Sequence, residues 1–264
     1  SGVGYQSYGA AAINKGGELL FQGERAILKA EATTGASAAG LFAKDGGKIR
    51  LESKSVTLAG SMGINSDGGV VETDSATSLS IDVEGNSSVH GIYNKSASSN
   101  KSQIHINGIL DITAKQTGTG DTSGIYSESG EIIVLGRTSV NLNGQSSTIR
   151  GISASGNTQM TLQDDVDIAV KDSPSGQGIY TTYRINGQQV LVPTIVLGGS
   201  QKTVTLTSSG YGIAHAGGSI TLDGNTSITG GYTGVYVKGG NDNKNAFASL
   251  LFKGPTTINA STAI

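Results

Sequence analysis

Apolar and polar residues alternate in short runs along most of the chain. Ile49 and Leu51 flank Arg50, Val56 and Leu58 flank Thr57, Met160 and Leu162 flank Thr161, and Ile220 and Leu222 flank Thr221. Val166, Ile168 and Val170 continue the pattern across Asp167 and Ala169. A period of two is that of a β-strand with one buried face and one wet face. No stretch of about 11 residues or more carries an apolar stripe at helical spacing. The pattern therefore predicts an all-β chain of short strands.

The strands recur in a fixed order. A glycine followed by an aliphatic residue appears at Gly40-Leu41, Gly63-Ile64, Gly91-Ile92, Gly124-Ile125, Gly151-Ile152, Gly178-Ile179, Gly212-Ile213 and Gly234-Val235, with a weaker copy at Gly9-Ala10. From Gly9 to Gly234 is 225 residues in eight steps, about 28 per step, with single steps of 22 to 34. Two further strand-like segments follow most units. A constant unit with variable spacers is the mark of a solenoid whose turns carry insertions. Three strands per repeat predict a right-handed parallel β-helix of about nine coils, on the order of 40 Å long at about 4.8 Å per coil. One aliphatic column is expected through Ile49, Ile104, Ile133, Met160, Ile195, Ile220 and Leu250. A second is expected through Leu51, Ile106, Leu135, Leu162, Leu197, Leu222 and Phe252, and a third through Leu58, Ile112, Leu142, Ile168 and Leu206. An antiparallel sandwich would need many hairpin turns, and only Asn186-Gly187 resembles one.

Residues 1–264 read as a single β-helix segment, with repeat-like sequence at both ends, so a longer parent protein is expected. Three repeats carry insertions between their first and second strands, at residues 94–102, 181–190 and 238–245. Sharing one position in the repeat, they are expected to project from one edge of the rod.

Composition agrees with short strands joined by turns. Glycine is 41 of 264 residues, charged residues are 14% and proline occurs three times. Pairs such as Gly46-Gly47, Gly68-Gly69 and Gly217-Gly218 suit sharp turns, often at positive φ. The net charge is −2 with no basic stripe, which argues against a nucleic-acid partner. No apolar run reaches the length of a membrane helix, so no membrane insertion of this segment is expected. The absence of cysteine fits passage through an oxidising compartment.

The Gly-Ile-Tyr units, the Gly-Gly turns, strands such as Gly218–Gly224, the Ser/Thr/Asn-rich exposed positions and the missing cysteines together resemble the passenger region of a Gram-negative autotransporter. The resemblance covers the whole chain and is one of repeat style. It implies export to the cell surface or secretion, and a role as adhesin, self-associating factor, toxin or protease. No binding residues follow from it.

Candidate chemistry is sparse. Asp121-Thr-Ser-Gly124 comes nearest to a serine-protease nucleophile but has no apparent triad partner and reads as a turn. Asp164 and Asp165, with Asp167, form the acidic cluster of note; the first two stand between two strands, where a solvated turn is expected. His90, His105 and His215 lack ligand spacing and read as surface or turn residues. No catalytic residue, cofactor or metal site is expected. Partner contacts are expected on the inserted edge, with Tyr183 and Arg184 as anchors and Asn186, Gln188, Lys238, Asn241, Asn243 and Lys244 beside them. The expected function is adhesion, to a host-cell surface protein, matrix, a glycan or sister bacteria. The alternatives are a secreted effector or toxin segment that binds a host receptor, and a polysaccharide-active β-helix enzyme.

Overall fold

The structure is a computed structural model that describes residues 7–31, 37–96, 100–145, 148–239 and 247–260. The described residues form strands and turns without helix. All strands from Ser7–Ile13 to Thr256–Ala260 belong to one parallel system, except Arg184–Asn186 and Gln189–Leu191, which pair with each other antiparallel. Between the two ends of the described coils, each strand pairs with its counterparts one repeat earlier and one repeat later. The fold is a parallel β-helix.

Three walls enclose a single continuous core. On the first wall, the residue after each repeat glycine forms a column of Ala10, Leu41, Ile64, Ile92, Ile125, Ile152, Ile179, Ile213 and Val235. The second wall stacks Ile49, Val71, Ile104, Ile132, Met160, Ile195, Ile220 and Leu250. The third stacks Leu58, Ile81, Ile112, Val140, Ile168, Leu206, Ile228 and Ile258. Burying one such side chain contributes roughly 1.5–3 kcal/mol, and stacking repeats the gain coil after coil.

Three expected column members stand elsewhere. Ile132 and Val134, not Ile133 and Leu135, fill the second wall; they pair with Ile104 and Ile106, and Leu135 is 41% exposed. Residues 132–135 are all aliphatic, so no polar residue sets the phase of alternation, and the ladder with the preceding coil sets it instead. Leu142 is buried but stacks with Ala114 and Val170, while Val140 occupies the Ile112 column. The third wall has three inward columns in this strand, through Thr138, Val140 and Leu142, and the pattern alone does not say which residues share one.

The three strands of a repeat often merge. Thr122–Val134 and Ile149–Leu162 run through the corner between the first and second walls, and Thr194–Ser208 and Gly218–Gly230 through the next corner. Asp121-Thr-Ser-Gly124, expected as a turn, leads directly into a strand, and Ser123 is buried where it pairs with His90 and Arg150. The Gly-Gly turns behave as expected, with Gly46, Gly68 and Gly218 at φ of 87°, 71° and 94°.

The repeat glycine itself has a different cause. A Cβ on Gly63, Gly91, Gly124, Gly151, Gly212 or Gly234 would lie 2.2–2.4 Å from a methyl of Ile81, Ile112, Val140, Ile168, Ile228 or Ile258, respectively. The first wall thus presses its backbone against the branched side chains of the third wall. Only glycine leaves that space.

Candidate binding surface

The corner after the first wall is polar inside. Ser66, Asn94, Ser127, Ala154, Thr181 and His215 succeed one another from coil to coil. Asn94 is fully buried; its amide donates to Ser127 Oγ at 3.2 Å and to the Ser129 carbonyl at 3.1 Å. Ser102 donates to Asn94 Oδ1 and shares a hydrogen bond with Ser66. Asn94 and Ser102, expected within a projecting insertion, are its buried anchors. A buried amide with its donors and acceptor satisfied holds the corner where the chain leaves the coil.

His215 is the last polar member of this column, which Val237 continues in the next coil. Its Nε2 lies 3.1 Å from the Ser249 carbonyl and so carries the hydrogen, leaving Nδ1 to accept from the Thr181 hydroxyl. Burial lowers the His215 pKa, with the Ser249 and Gly218 backbone contacts opposing. His90 is buried as well, against the rings of Tyr93 and Tyr126 at 5.2 and 5.4 Å. Its Nδ1 has no hydrogen-bond partner among the described residues. Burial, against the pull of Asp121, lowers its pKa to about 4. The expectation of surface or turn histidines therefore fails at both positions. His215 follows Ile213 by two residues and shares its inward face, whereas His90 is covered by tyrosines from its own coil and the next. His105 stays partly exposed and contacts Glu131 at 3.2 Å.

On the outer side of the first wall, Phe42, Asn65, Tyr93, Tyr126, Ser153, Tyr180, Ala214 and Tyr236 share one column. Tyr93 and Tyr126 stack at 5.0 Å, Arg150 lies 4.2 Å over Tyr180, and Tyr211 meets Tyr236 at 6.1 Å. Tyr93, Tyr126, Tyr180 and Tyr211 are half-buried and Tyr236 is 48% exposed. The result is a stripe of rings along one face of the rod.

The hairpin lies beside this stripe. Arg184–Asn186 and Gln189–Leu191 pair across Gly187 and Gln188. Gly187 has φ of 59° and Gln188 is not at positive φ, the pattern of a type II′ turn. The two expected anchors both face the rod. Tyr183 packs over Gly217, where a Cβ would sit 3.2 Å from the tyrosine. Arg184 crosses Gly156 and pairs with Glu128, 56 residues away.

Glu128 is the centre of the arrangement. Tyr126 donates to its Oε1 at 2.7 Å and Arg184 donates to its Oε2. Burial would raise the Glu128 carboxyl; the Tyr126 hydroxyl, Arg184 and Lys95 outweigh it and hold the pKa below its ordinary value. Burial and the Glu128 hydrogen bond push the Tyr126 phenol well above its usual range. Between hairpin and coils opens a cleft of about 440 Å³, lined by Lys95, Ser96, Glu128, Ser129, Asn157, Arg184 and Asn186 among others.

Of the expected contact residues, only Arg184 and Asn186 line this cleft. Gln188 is exposed at the hairpin tip. Lys238 stands at a later coil, its amide bonded to the His215 carbonyl at 2.8 Å. Asn241, Asn243 and Lys244 lie outside the described residues. Lys95 falls within the 94–102 insertion, whereas Glu128 and Asn157 lie in no insertion, and nothing in local spacing joins Glu128 to Arg184.

A second groove of about 470 Å³ lies on the second wall, lined by Arg50, Glu52, Glu72, Thr73, Asp74, His105 and Asn107. Its carboxylates are partnered: Glu72 pairs with Lys48 at 2.8 Å and Glu52 with Arg50 at 2.9 Å. Asp164 is tied to Lys202, which lowers its pKa, and Asp165 accepts from the Thr203 amide at 2.8 Å. Asp164 and Asp165 thus brace a turn, as their position between strands suggests, while Asp167 lies on the strand Val166–Lys171. Comparison of the chain with protein-family models, curated proteins and solved structures returns no match.

Proposed function

We propose that the chain is part of a bacterial passenger, exported to the cell surface or secreted, that acts in adhesion without enzymatic activity. One observation carries this reading: the stripe of partly exposed rings in which Tyr93, Tyr126, Tyr180 and Tyr236 share one outward column and Tyr211 packs beside Tyr236. Aromatic side chains offer large, rigid, amphipathic contact area at low entropic cost. A flat, repetitive face suits a broad partner better than it suits a small enclosed substrate. The repeat style and the lack of cysteine support export.

The purified chain is expected to be retained on host cells, matrix proteins or immobilised copies of itself. Replacing Tyr180 and Tyr236 together by serine is expected to weaken retention about tenfold or more. The double variant is expected to melt close to the parent, because both rings are partly solvent-exposed. Equal retention of parent and double variant on every surface contradicts the adhesive reading. Receptor engagement after release would use the same face and differs only in needing no bacterial cell.

The groove at Glu52, Glu72, Asp74 and His105 favours a second reading, a polysaccharide-active enzyme, since paired carboxylates are the usual acid and base of glycoside cleavage. Release of reducing ends from acidic or neutral polysaccharides, abolished by Glu52→Gln or Glu72→Gln, would support it. Activity unchanged in both variants would exclude this groove.

A further inference from the structure

The cleft under the hairpin differs in chemistry from the open stripe. Three successive coils contribute to its floor at one corner, through Lys95 and Ser96, then Glu128 and Ser129, then Gly156 and Asn157. At about 4.8 Å per coil the floor spans about 10 Å. The hairpin closes it from the following coil with Arg184, Ile185, Asn186 and Leu191. Its volume of about 440 Å³ is that of a small-ligand site.

The lining is dense in groups that present two polar atoms side by side: the Glu128 carboxylate, the Arg184 guanidinium, and the Asn157 and Asn186 amides. Such groups match neighbouring hydroxyls on a sugar ring, each giving or taking two hydrogen bonds. The Ser96 and Ser129 hydroxyls each accept from a backbone amide and keep a hydrogen to donate, and Ile185 and Leu191 offer an apolar patch for the C–H face of a ring. Arg184 is bound to Glu128, and the Lys95 position neighbours Asp67 in the ladder. Counting Asp67 with the lining's Lys95, Arg184 and Glu128, two positive and two negative groups stand at this corner.

It is also preorganised. Glu128 is fixed on both oxygens, and the Arg184 stem lies against Gly156, whose φ is 59°. A Cβ there would meet the Arg184 Cδ at 3.3 Å and the Glu128 carbonyl at 2.3 Å. Groups held in place before binding lose little entropy on binding.

We propose that this cleft is a subsite for an uncharged sugar residue, so that the chain recognises neutral glycans. This rests on the adhesive reading and names a ligand class for it. Asn157 and Asn186 are exposed and take no part in the Arg184–Glu128–Tyr126 contacts, so they can be changed without loosening the hairpin.

The test immobilises neutral oligosaccharides ending in glucose, galactose or mannose beside sialylated and sulfated ones, and measures binding of the purified chain. Retention on at least one neutral surface is expected, weakened about tenfold or more in Asn157→Ala and in Asn186→Ala with unchanged melting. Free monosaccharide of the matching type is expected to compete. Binding to charged glycans alone, or neutral-glycan binding indifferent to both variants, overturns the proposal. The same preparation is tested on cells and matrix. Retention there without any neutral-glycan binding removes the subsite and leaves adhesion standing. Failure on every surface removes both.

Discussion

Gly151, Thr138 and His90 show how closely single positions are held. A methyl on Gly151 would overlap the Ile168 methyl at 2.2 Å, within a wall whose backbone is paired on both sides. Gly151→Ala is expected to lose about 1–3 kcal/mol by overpacking, read as a lower urea midpoint at constant slope. Thr138 is the reverse case. It sits between Leu110 and Val166 in an aliphatic column, fully buried, and its hydroxyl has no partner among the described residues. Thr138→Val keeps the shape and removes the stranded hydroxyl, so a gain of about 1–2 kcal/mol is expected in the same measurement. A loss would mean that the hydroxyl is satisfied. His90 links stability to pH. Its pKa is about 4 in the fold against the ordinary 6.5 of histidine, so the unfolded chain takes up the proton first as pH falls. The stability held above pH about 6.5 is lost progressively toward pH 4, by roughly 3 kcal/mol at about 1.4 kcal/mol per unit. Unfolding of the parent and of His90→Phe across that window is expected to show a steeper loss in the parent. Parallel curves would contradict it.

At the scale of elements, the walls were legible and the hairpin's role was not. Period-two alternation and the repeating glycine lead to parallel coils because each inward position is independently apolar. The phase failed only at Ile132–Leu135, where four aliphatic residues in a row remove the polar marker. The hairpin was visible as Asn186-Gly187, but Tyr183 and Arg184 turned out to fasten it to the rod. Glu128 receives Arg184 from 56 residues away, a distance set by the lengths of two intervening coils, which no local pattern encodes. The same holds for cross-coil ion pairs such as Lys54–Glu24, Lys115–Glu84 and Arg137–Asp111 at 2.7, 3.1 and 2.8 Å. Being exposed, each contributes little, about 1 kcal/mol at most. Replacing residues 184–191 by a short Gly-Ser link is expected to change the melting temperature by only a few degrees, since both hairpin strands are largely exposed. It is also expected to raise the Glu128 pKa, because Arg184 no longer opposes burial. Carboxyl titration by NMR reads that shift directly. A collapse of the fold would instead make the hairpin part of the core scaffold.

At the scale of the molecule, one core runs the length of the described coils and one outer face carries the rings. A solenoid of this kind separates stability from recognition: inward columns hold the rod, and outward columns and insertions are free to vary. The proposed adhesive stripe and the glycan subsite both depend on residues far apart in sequence standing side by side from coil to coil. The chain has no cysteine, so spin labels can be placed one pair at a time. Thr57, Ser80, Asp111, Ser139, Asp167, Thr205 and Ser227 follow one another on the outer side of the third wall. With one label at Thr57, electron-electron distances to Asp167, Thr205 and Ser227 are expected to rise evenly, about 19, 24 and 29 Å for four, five and six coils at about 4.8 Å each. Distances that fail to grow by one coil spacing per step would contradict the stacked coils, and with them the placement of every surface described above.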